Sequence, residues 1–509
     1  MTPDFTRREL IRAGGAGAAG IALIGAASSC ESGGDAGATE QTKTTAPPPA
    51  NPTNVVVVVM DSLRADHIYG THARTESMNK VMQEGVRFTN AYPEGMPTIP
   101  ARRAIMAGRR TYPFRGWKPK WDDLPAQPGW EPVGSDGEMW TEVLARNGWT
   151  TGYITDNPHL LLPVHKNFRS RFDRVVLVDG QVPVRRKPKR KVPEKLVDHF
   201  MPASIDDGKS EPRMATYLAI NPRERAEEDF NSAKVFTQGM NWLEWARNRQ
   251  PFALVIDSFD AHEPWDAPRR LVDMYGPPRP DGVEPIQPFA TPAGKWRELG
   301  LSQGLLRRMR QLYAAEVTLV DVWLGHFLDR LANLGLDDNT LVVLVSDHGV
   351  LLGEYGWVGK RFSEMHQGLT HVPLMMRHPA RKAMGAVSSY YASTHDIGPT
   401  VLSSAGIDVP DHMNGVNLSP LFDGKRPVKK RGYRTASYNT YLSAGDDRWL
   451  LISGNKRQEL RLYDRKADPG ETRNIAASNP QQVRRLWNLI LKDAGPKGLP
   501  KFPKGGGGG

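Results

Sequence analysis

The 509-residue sequence has a single cysteine, Cys30, and this scarcity already excludes some kinds of protein. One thiol cannot form a disulfide within the chain, so cross-linking does not stabilise the folded protein. The sequence also lacks an internal repeat and any recognisable nucleic-acid-binding module. The net charge of +11 therefore does not indicate binding to DNA or RNA.

The sequence also lacks an apolar run long enough to span a membrane stably. The nearest candidate, residues 13–27, is short and consists largely of Gly and Ala. It follows TRRELIR at residues 6–12, which resembles a twin-arginine export signal, and it ends in ASSC at residues 27–30, which resembles a lipobox. We therefore expect residues 1–30 to be an export signal that leads to the periplasm or cell surface. A lipidated Cys30 would attach the protein to the membrane. The alternative is that Cys30 is an ordinary free thiol beside a simple cleavage site.

Two further segments have the composition of chain that does not fold into a core. Residues 31–53 consist mainly of Gly, Ala, Thr and Pro and predict a disordered linker, and residues 501–509 predict a disordered tail. The basic run RRKPKRK at residues 185–191 is typical of a solvated loop. Its alternative function is to attract an anionic substrate toward a nearby site.

Between these ends, strand and helix patterns alternate, which predicts an α/β fold with a sheet covered on both faces. Residues 55–59, 252–256 and 341–345 are unbroken apolar runs, as expected of strands buried on both sides. Residues 305–334 carry apolar side chains at helical spacing, which predicts a long helix packed on the core.

Each of the three buried strands is followed at once by acidic residues or histidine. These residues are Asp61, then Asp260 and His262, then Asp347 and His348. In open α/β sheets ligands bind beyond the carboxyl ends of the strands, so one site is predicted there. Asp61, Asp347 and His348 are a plausible ligand set for one divalent cation that keeps a coordination position open.

Thr98 begins the segment TIPAR at residues 98–102, which is followed by an apolar run. A Thr before Pro is often the N-cap of a helix. A hydroxyl at a helix N-terminus beside a metal also lies where the helix dipole favours an alkoxide and an incoming anion, which makes Thr98 a candidate nucleophile. Arg102, one helical turn later, is placed to stabilise charge at that nucleophile.

These segments, together with DAHEPW at residues 260–265 and GEYGWVGK at residues 353–360, resemble the sulfatase branch of the alkaline phosphatase superfamily. The resemblance covers nearly all of the chain from Asn54 to about Asn479. It implies an alkaline-phosphatase-like α/β/α sandwich with a central, mostly parallel sheet and a smaller C-terminal β-sheet subdomain. The sulfatase-like catalytic domain would span residues 54–430 and the subdomain residues 431–500.

The resemblance also implies roles for individual residues. Thr98 stands where sulfatases have a Cys or Ser that is oxidised to formylglycine, so the usual sulfatase nucleophile cannot be made; Thr98 would also be the fourth metal ligand. Lys360 matches the family Lys that contacts the substrate oxyanion. His262 matches a His that acts beside the leaving group as a general acid or hydrogen-bond donor. Asn157 and His159 lie where relatives place substrate-binding residues, with ordinary loop structure as the alternative.

One departure from the family pattern concerns the first strand. Many sulfatases have two adjacent Asp residues there, whereas this chain has Met60 followed by Asp61. The segment DSLRAD at residues 61–66 resembles a subgroup that includes phosphonate and phosphate ester hydrolases. Within this segment we expect Asp66 to be only a local partner for Arg64. The resemblance to sulfatases favours Ca²⁺ as the cofactor, and the phosphoester precedent favours Mn²⁺ or Zn²⁺.

We interpret the sequence as that of a metal-dependent hydrolase of anionic esters, including glycan-linked or lipid-linked ones. Formylglycine expels sulfate by collapsing to an aldehyde, whereas a Thr98 adduct must be hydrolysed by water, which favours phosphate or phosphonate esters, most simply diesters, over sulfate esters. Three alternatives stay open: a sulfatase acting on a sulfated glycan or aryl ester, a phospho-group transferase acting on an envelope glycan, and a non-catalytic protein that binds an anionic glycan.

Overall fold

The computed structural model describes residues 53–115, 124–180, 191–201, 210–222, 224–287 and 293–502. The predicted export signal with Cys30, nearly all of the predicted linker, residues 185–190 of the basic run and residues 503–509 of the tail lie outside this part of the chain. Among the described residues, no helix combines the length and the apolar character that crossing a bilayer requires.

The strands belong to one large sheet and two smaller ones. In chain order they are β1 (Asn54–Met60), β2 (Val86–Tyr92), β3 (Gly95–Met96), β4 (Thr150–Thr155), β5 (Arg174–Leu177), β6 (Phe252–Ser258), β7 (Ala293–Lys295), β8 (Thr340–Ser346), β9 (Leu351–Leu352), β10 (Trp357–Gly359), β11 (Leu374–Arg377), β12 (Ala386–Ser393), β13 (Arg434–Tyr438), β14 (Tyr441–Gly445), β15 (Trp449–Gly454) and β16 (Arg461–Asp464). The three apolar runs at residues 55–59, 252–256 and 341–345 are all strands, as predicted.

The large sheet has the order β12-β2-β11-β8-β1-β6-β4-β5. Strand β11 runs antiparallel to both of its neighbours, and every other described pairing in this sheet is parallel. Strand β1 lies in the middle, between β6 and β8. The prediction of a central, mostly parallel sheet is therefore confirmed.

Successive side chains of β1 point to opposite faces of the sheet, and each face has its own hydrophobic core. Val56, Val58 and Met60 belong to one core, and the valines between them belong to the other. All seven residues of β1 are buried. A strand covered on both faces has no need of alternating polar residues, which explains the unbroken apolar run.

The helices pack on the two faces of the large sheet and on the small C-terminal sheet. In chain order they are α1 (Ala65–Tyr69), α2 (Glu76–Gln83), α3 (Thr98–Ala107), α4 (Trp140–Arg146), α5 (Pro158–Leu161), α6 (Lys166–Arg169), α7 (Glu194–Phe200), α8 (Ser210–Ile220), α9 (Asn231–Ala246), α10 (Arg269–Val272), α11 (Gln303–Asn333), α12 (Gln367–Thr370), α13 (Ile397–Ser404) and α14 (Pro480–Ala494). The long helix predicted at residues 305–334 is α11. Its N-cap is Ser302, whose side chain accepts a hydrogen bond from the Leu305 N–H.

The small C-terminal sheet has the order β16-β15-β14-β13-β3. Its last strand, β3, comes from the N-terminal half of the chain and pairs in parallel with β13, with Met96 opposite Tyr438. Since Met96 precedes Thr98 by two residues, the small sheet is attached next to the predicted nucleophile. A smaller separate sheet is confirmed, while the division of the chain at residue 430 stays a prediction.

Candidate active site

The acidic residues at the ends of two neighbouring strands meet at one edge of the large sheet. Asp61 follows β1 and Asp347 follows β8, and these strands pair with Met60 opposite Ser346. Together with His348, the two carboxylates place their ligand atoms within 4.8 Å of one another. All three side chains are fully buried. The structure therefore brings three of the four predicted metal ligands into one cluster.

Hydrogen bonds fix both carboxylates of this cluster. The backbone N–H groups of Ser62 and His348 donate to Asp347 Oδ1, over 3.0 and 2.7 Å. The Ser62 hydroxyl donates to Asp61 Oδ1 over 2.9 Å. Burial, together with the negative charge of Asp347, raises the pKa of Asp61, and the positive charge of Arg102 opposes that shift.

His348 is oriented as a metal ligand. Its Nδ1 lies 2.8 Å from the Gly349 carbonyl oxygen, which only accepts, so Nδ1 carries the proton and Nε2 the lone pair. Nε2 lies 3.7 Å from Asp61 Oδ1 and 3.6 Å from Asp347 Oδ2, and it is buried without a hydrogen-bond partner among the described residues. Burial lowers the pKa of His348 to about 4, which keeps the ring neutral. A buried lone pair between two carboxylates fits a divalent cation.

Thr98 is the first residue of α3, and Pro97 rather than Thr98 is the N-cap. The Thr98 side chain is buried, and its hydroxyl forms no hydrogen bond with any residue that the structure describes. The first N–H groups of a helix are without helical partners and favour negative charge. Thr98 therefore has no capping role, and its hydroxyl is available for chemistry at the helix start.

Arg102 connects Thr98 to the two acids. Its Nη1 donates to the Thr98 carbonyl oxygen over 3.1 Å and to Asp347 Oδ2, and it lies 3.2 Å from Asp61 Oδ2. The side chain is almost completely buried. One helical turn thus places a permanent cation between the predicted nucleophile and the candidate metal ligands, and its role at the nucleophile stays a prediction.

Asp257 is a site residue that the sequence analysis missed. Its carboxylate accepts two hydrogen bonds from Arg102, from Nε over 2.8 Å and from Nη2 over 2.6 Å. The Tyr153 hydroxyl donates to the same carboxylate over 2.6 Å. The signal was present, because Asp257 directly follows the apolar run of β6. Asp260, which the sequence placed at this edge, instead accepts from the Ser232 N–H over 3.0 Å.

Lys360 lies close enough to His262 for its charge to act on that ring, and it is paired with a second missed residue. Its Nζ lies 2.7 Å from each carboxylate oxygen of Glu263. His262 Nδ1 lies 2.8 Å from the Glu263 carbonyl oxygen, and its ring stacks on Phe259. Burial, together with the charge of Lys360, holds the pKa of His262 well below its usual value. The neutral ring therefore presents Nε2 as an acceptor.

The two candidate substrate-binding residues also lie at this edge. Asn157 Nδ2 donates to Asp61 Oδ2 over 3.2 Å, and its Oδ1 accepts from the His159 N–H, so Asn157 contacts the site and caps α5. Burial, together with the positive charges of Arg102 and Lys360, lowers the pKa of His159 to about 3. His159 is therefore a neutral ring beside the two cations of the site.

Arg64 and Asp66 form a separate pair near the site. Arg64 Nε and Nη2 donate to the Asp66 carboxylate over 3.0 and 2.6 Å, and Nη1 donates to Glu354 over 2.9 Å. The pKa of Asp66 lies far below its usual value: burial alone would raise it, and hydrogen bonds from His67 and Arg64 outweigh that effect. Asp66 is thus a partner of Arg64, as the sequence indicated.

Comparison with known proteins identifies the family to which this site belongs. The family model "Sulfatase" matches residues 53–407, and the model "N-sulphoglucosamine sulphohydrolase, C-terminal" matches residues 353–492. The chain belongs to the sulfatase family. Members of this family hydrolyse ester bonds and depend on a metal ion, so this protein is an ester hydrolase and its carboxylate–histidine cluster is the candidate metal site.

One relative and two solved structures illustrate what this sulfatase-family protein is similar to. The N-acetylglucosamine-6-O-sulfatase of Bacteroides thetaiotaomicron is 26% identical over 508 residues, covering 86% of this chain and 85% of its own. The phosphonate monoester hydrolase of Silicibacter pomeroyi has a TM-score of 0.65 at 19% identity, over 87% of this chain and 95% of its own. A protein solved with its substrate D-glucosamine-2-N,6-O-disulfate has a TM-score of 0.63 at 20% identity, over 87% and 97%.

Proposed function

We propose that this sulfatase-family enzyme hydrolyses phosphate or phosphonate esters, most simply diesters, in preference to sulfate esters, with Thr98 as the nucleophile. The observation that supports this proposal is the environment of Thr98. Thr98 is a buried residue at the start of α3, and its hydroxyl has no hydrogen-bond partner among the described residues. Arg102 links the Thr98 backbone carbonyl to the acid cluster. The only cysteine is Cys30, near the N-terminus, so no residue of the site can be converted from Cys to formylglycine.

The chemistry of the second half-reaction favours phosphorus over sulfur. After Thr98 attacks, the ester group stays bonded to the Thr oxygen, and water must release it. A phosphorylated hydroxyl is released by attack of water at phosphorus. A sulfated Thr has no comparable route, because it lacks the second hydroxyl with which a formylglycine hydrate collapses to the aldehyde.

The other side chains of the site have separate roles in the proposed reaction. Arg102 and Lys360 would stabilise the negative oxygens of the reacting group. His262 begins as a neutral ring with Nε2 as an acceptor, so it would accept the proton of the water that hydrolyses the adduct. The resulting imidazolium would return that proton to the Thr98 oxygen as its bond to phosphorus breaks, which restores the Thr98 hydroxyl. In the first half-reaction the same ring would pass the Thr98 proton to the leaving oxygen. Asn157 and His159 would contact the substrate from the other side.

The metal would be held by Asp61, Asp347 and His348, with Thr98 as the fourth ligand. When bound, a divalent ion lowers the pKa of a coordinated hydroxyl and polarises the ester. A nitrogen ligand suits Mn²⁺ or Zn²⁺ better than Ca²⁺, which prefers oxygen ligands only. We therefore expect Mn²⁺ or Zn²⁺, although the sulfatase precedent is Ca²⁺.

A second candidate function is the hydrolysis of sulfate esters. It is supported by the relatives, which include an N-acetylglucosamine-6-O-sulfatase and an arylsulfatase. We also propose export by the twin-arginine route and attachment through a lipidated Cys30, which would place the enzyme at the envelope, where anionic glycan-linked and lipid-linked esters occur.

The experiment compares four substrates on metal-loaded protein: p-nitrophenyl sulfate, p-nitrophenyl phosphate, p-nitrophenyl phenylphosphonate and bis(p-nitrophenyl) phosphate. Turnover of a phosphorus ester that is lost in Thr98→Ala and kept in part in Thr98→Ser would support the proposal. Sulfate turnover with the same dependence on Thr98 would overturn the substrate preference and keep the site. Turnover that survives in Thr98→Ala would exclude Thr98 as the nucleophile.

A further inference from the structure

The Lys360–Glu263 ion pair lies inside the site where an anionic ester should bind. Both side chains are buried, at 7% exposure each. Both Glu263 oxygens lie 2.7 Å from Lys360 Nζ, so the cation expected to meet the substrate already has a carboxylate counter-ion. A buried pair of this kind is not explained by stability, because its desolvation cost offsets much of the attraction.

The pair is anchored on both sides. Glu263 directly follows His262 and accepts the His262 Nδ1–H through its carbonyl oxygen, so one residue orients the imidazole and pairs with the lysine. On the other side, the Tyr438 hydroxyl of β13 donates to the Lys360 carbonyl oxygen over 3.0 Å. Burial, together with the negative charge of Glu263, raises the pKa of Tyr438, so this hydroxyl is a neutral donor. The geometry therefore holds the Glu263 carboxylate in the site.

The charges of the site show what Glu263 changes. The site has more carboxylates than fixed cations, and its imidazoles are neutral. The carboxylates are Asp61, Asp257, Asp347 and Glu263, and the cations are Arg102 and Lys360. A divalent ion would bring the whole site to neutrality. Without Glu263 the same site would carry one net positive charge and would attract doubly charged esters more strongly.

We propose that Glu263 selects substrates by their charge. It favours singly charged esters and disfavours doubly charged monoesters. The inference rests on the proposed function for the identity of the ester, since phosphodiesters and phosphonate monoesters carry one charge. A phosphate monoester carries close to two charges at neutral pH, because its second pKa is about 6. The second charge is repelled by a buried carboxylate a few ångströms away, an effect of about tenfold on affinity or more.

The kinetic test uses two substrates that differ in charge, bis(p-nitrophenyl) phosphate and p-nitrophenyl phosphate, at pH 8. We expect the wild-type protein to have the higher kcat/KM on the diester. Glu263→Gln keeps the side-chain shape and an acceptor for Lys360, and it should shift the ratio of the two kcat/KM values toward the monoester by about tenfold. Added salt should reduce that shift. An equal loss of kcat/KM on both substrates would show that Glu263 only positions Lys360, and it would overturn the proposal.

Glu284 supplies a matched control. It is also 7% exposed, and it pairs with Arg308, whose Nε donates to it over 2.8 Å. Glu284→Gln therefore removes the charge of a buried carboxylate whose cationic partner, Arg308, lies outside the active site. We expect it to lower stability and to leave the ratio of diester to monoester unchanged. A shift in the Glu284 variant as large as that in the Glu263 variant would contradict a local effect of Glu263.

A binding measurement separates failure of this inference from failure of the proposed function. Metal-loaded Thr98→Ala is titrated with phenyl phosphate and with methyl phenyl phosphate, which differ by one methyl group and one charge. Tighter binding of the singly charged ester, lost when Glu263→Gln is added, would support the inference even if no phosphorus ester is hydrolysed. If the ratio of the two affinities is the same with and without Glu263→Gln, the inference is overturned, even if the phosphodiester is a substrate.

Discussion

Two buried histidines, one at the active site and one at the junction between residues 354–366 and the small C-terminal sheet, differ in what surrounds their ring nitrogens. His348 is 0% exposed, and its Nε2 has no hydrogen-bond partner among the described residues. His366 is 1% exposed, and both nitrogens face carboxylates: Nδ1 lies 2.7 Å from Glu471 and Nε2 lies 3.3 Å from Glu364. Burial lowers the pKa of His348 to about 4. At His366 the hydrogen bonds to Glu364 and Glu471 outweigh burial and raise the pKa.

The difference distinguishes a histidine that stabilises the fold from a histidine that is available to bind a ligand. At the junction both ring nitrogens of His366 are paired with carboxylates, Tyr355 stacks on the ring, and Arg461 donates to Glu364 over 2.8 Å. The edge of the large sheet leaves the His348 lone pair and the Thr98 hydroxyl without described partners. An unpaired buried polar atom is costly, and His348 Nε2 lies between two carboxylates, where a metal ion would satisfy it.

The strongest test of this comparison is His348→Ala. We expect the variant to lose the bound divalent ion and at least about 10³-fold in kcat/KM, because the only nitrogen ligand is removed. In the wild-type protein, metal at 100 times its Kd should raise the free energy of unfolding by about 2.7 kcal/mol, and this increase should be absent in the variant. Metal content and thermal unfolding of both proteins check the prediction, with His366→Gln as the control that keeps its metal. An unchanged metal content in His348→Ala would contradict the assignment.

A smaller effect is expected at Asp257, which holds Arg102 through two hydrogen bonds. Asp257→Asn should lower kcat by about 10²-fold with little change in KM, because Arg102 loses its orientation toward the reacting group. Tyr153→Phe removes one hydrogen bond from the same carboxylate and should cost less than about tenfold. Steady-state kinetics of both variants would show this order. If Tyr153→Phe costs more than Asp257→Asn, Asp257 does not act through Arg102.

The smallest effect on activity is expected at the junction, where the prediction concerns the pH dependence of stability. The folded-state pKa of His366 is raised above the unfolded value, so its stabilising contribution is complete below about pH 6.5 and is lost as pH rises through the folded pKa. We expect the free energy of unfolding to fall between pH 6.5 and 9 more steeply in the wild-type protein than in His366→Gln. The variant should also be about 3 kcal/mol less stable at pH 6, because buried carboxylates lose their cation. Parallel urea-unfolding profiles would contradict the charged state of His366.

The sequence predicted most of the fold because its signals are local. The apolar runs of β1, β6 and β8 and the helical stripe of α11 each fall within one segment, and the family segments connect them. The acids after β1 and β8 followed from the rule that sites lie at the carboxyl ends of strands. His348 was part of that prediction, and the structure adds the unpaired Nε2.

What the sequence did not predict are contacts between distant segments. Asp257 accepts hydrogen bonds from both Arg102 and Tyr153, and Tyr153 reaches it because β4 lies next to β6, an order that no single segment encodes. Glu263 meets Lys360 across 97 positions of the chain. Strand β3 joins the small sheet although it is two residues long and carries no strand pattern. Thr98 fits an N-cap by its sequence context, and only the backbone geometry assigns the cap to Pro97.

The measurement that tests the account most directly is the detection of a covalent intermediate on Thr98. Metal-loaded protein would be mixed with bis(p-nitrophenyl) phosphate, quenched in acid within milliseconds, digested and analysed by mass spectrometry. We predict a p-nitrophenyl phosphoryl group on the Thr98 hydroxyl that forms during the burst of p-nitrophenol and disappears as substrate is exhausted. Turnover of the ester without any adduct on Thr98, or with an adduct on another residue, would contradict the central claim.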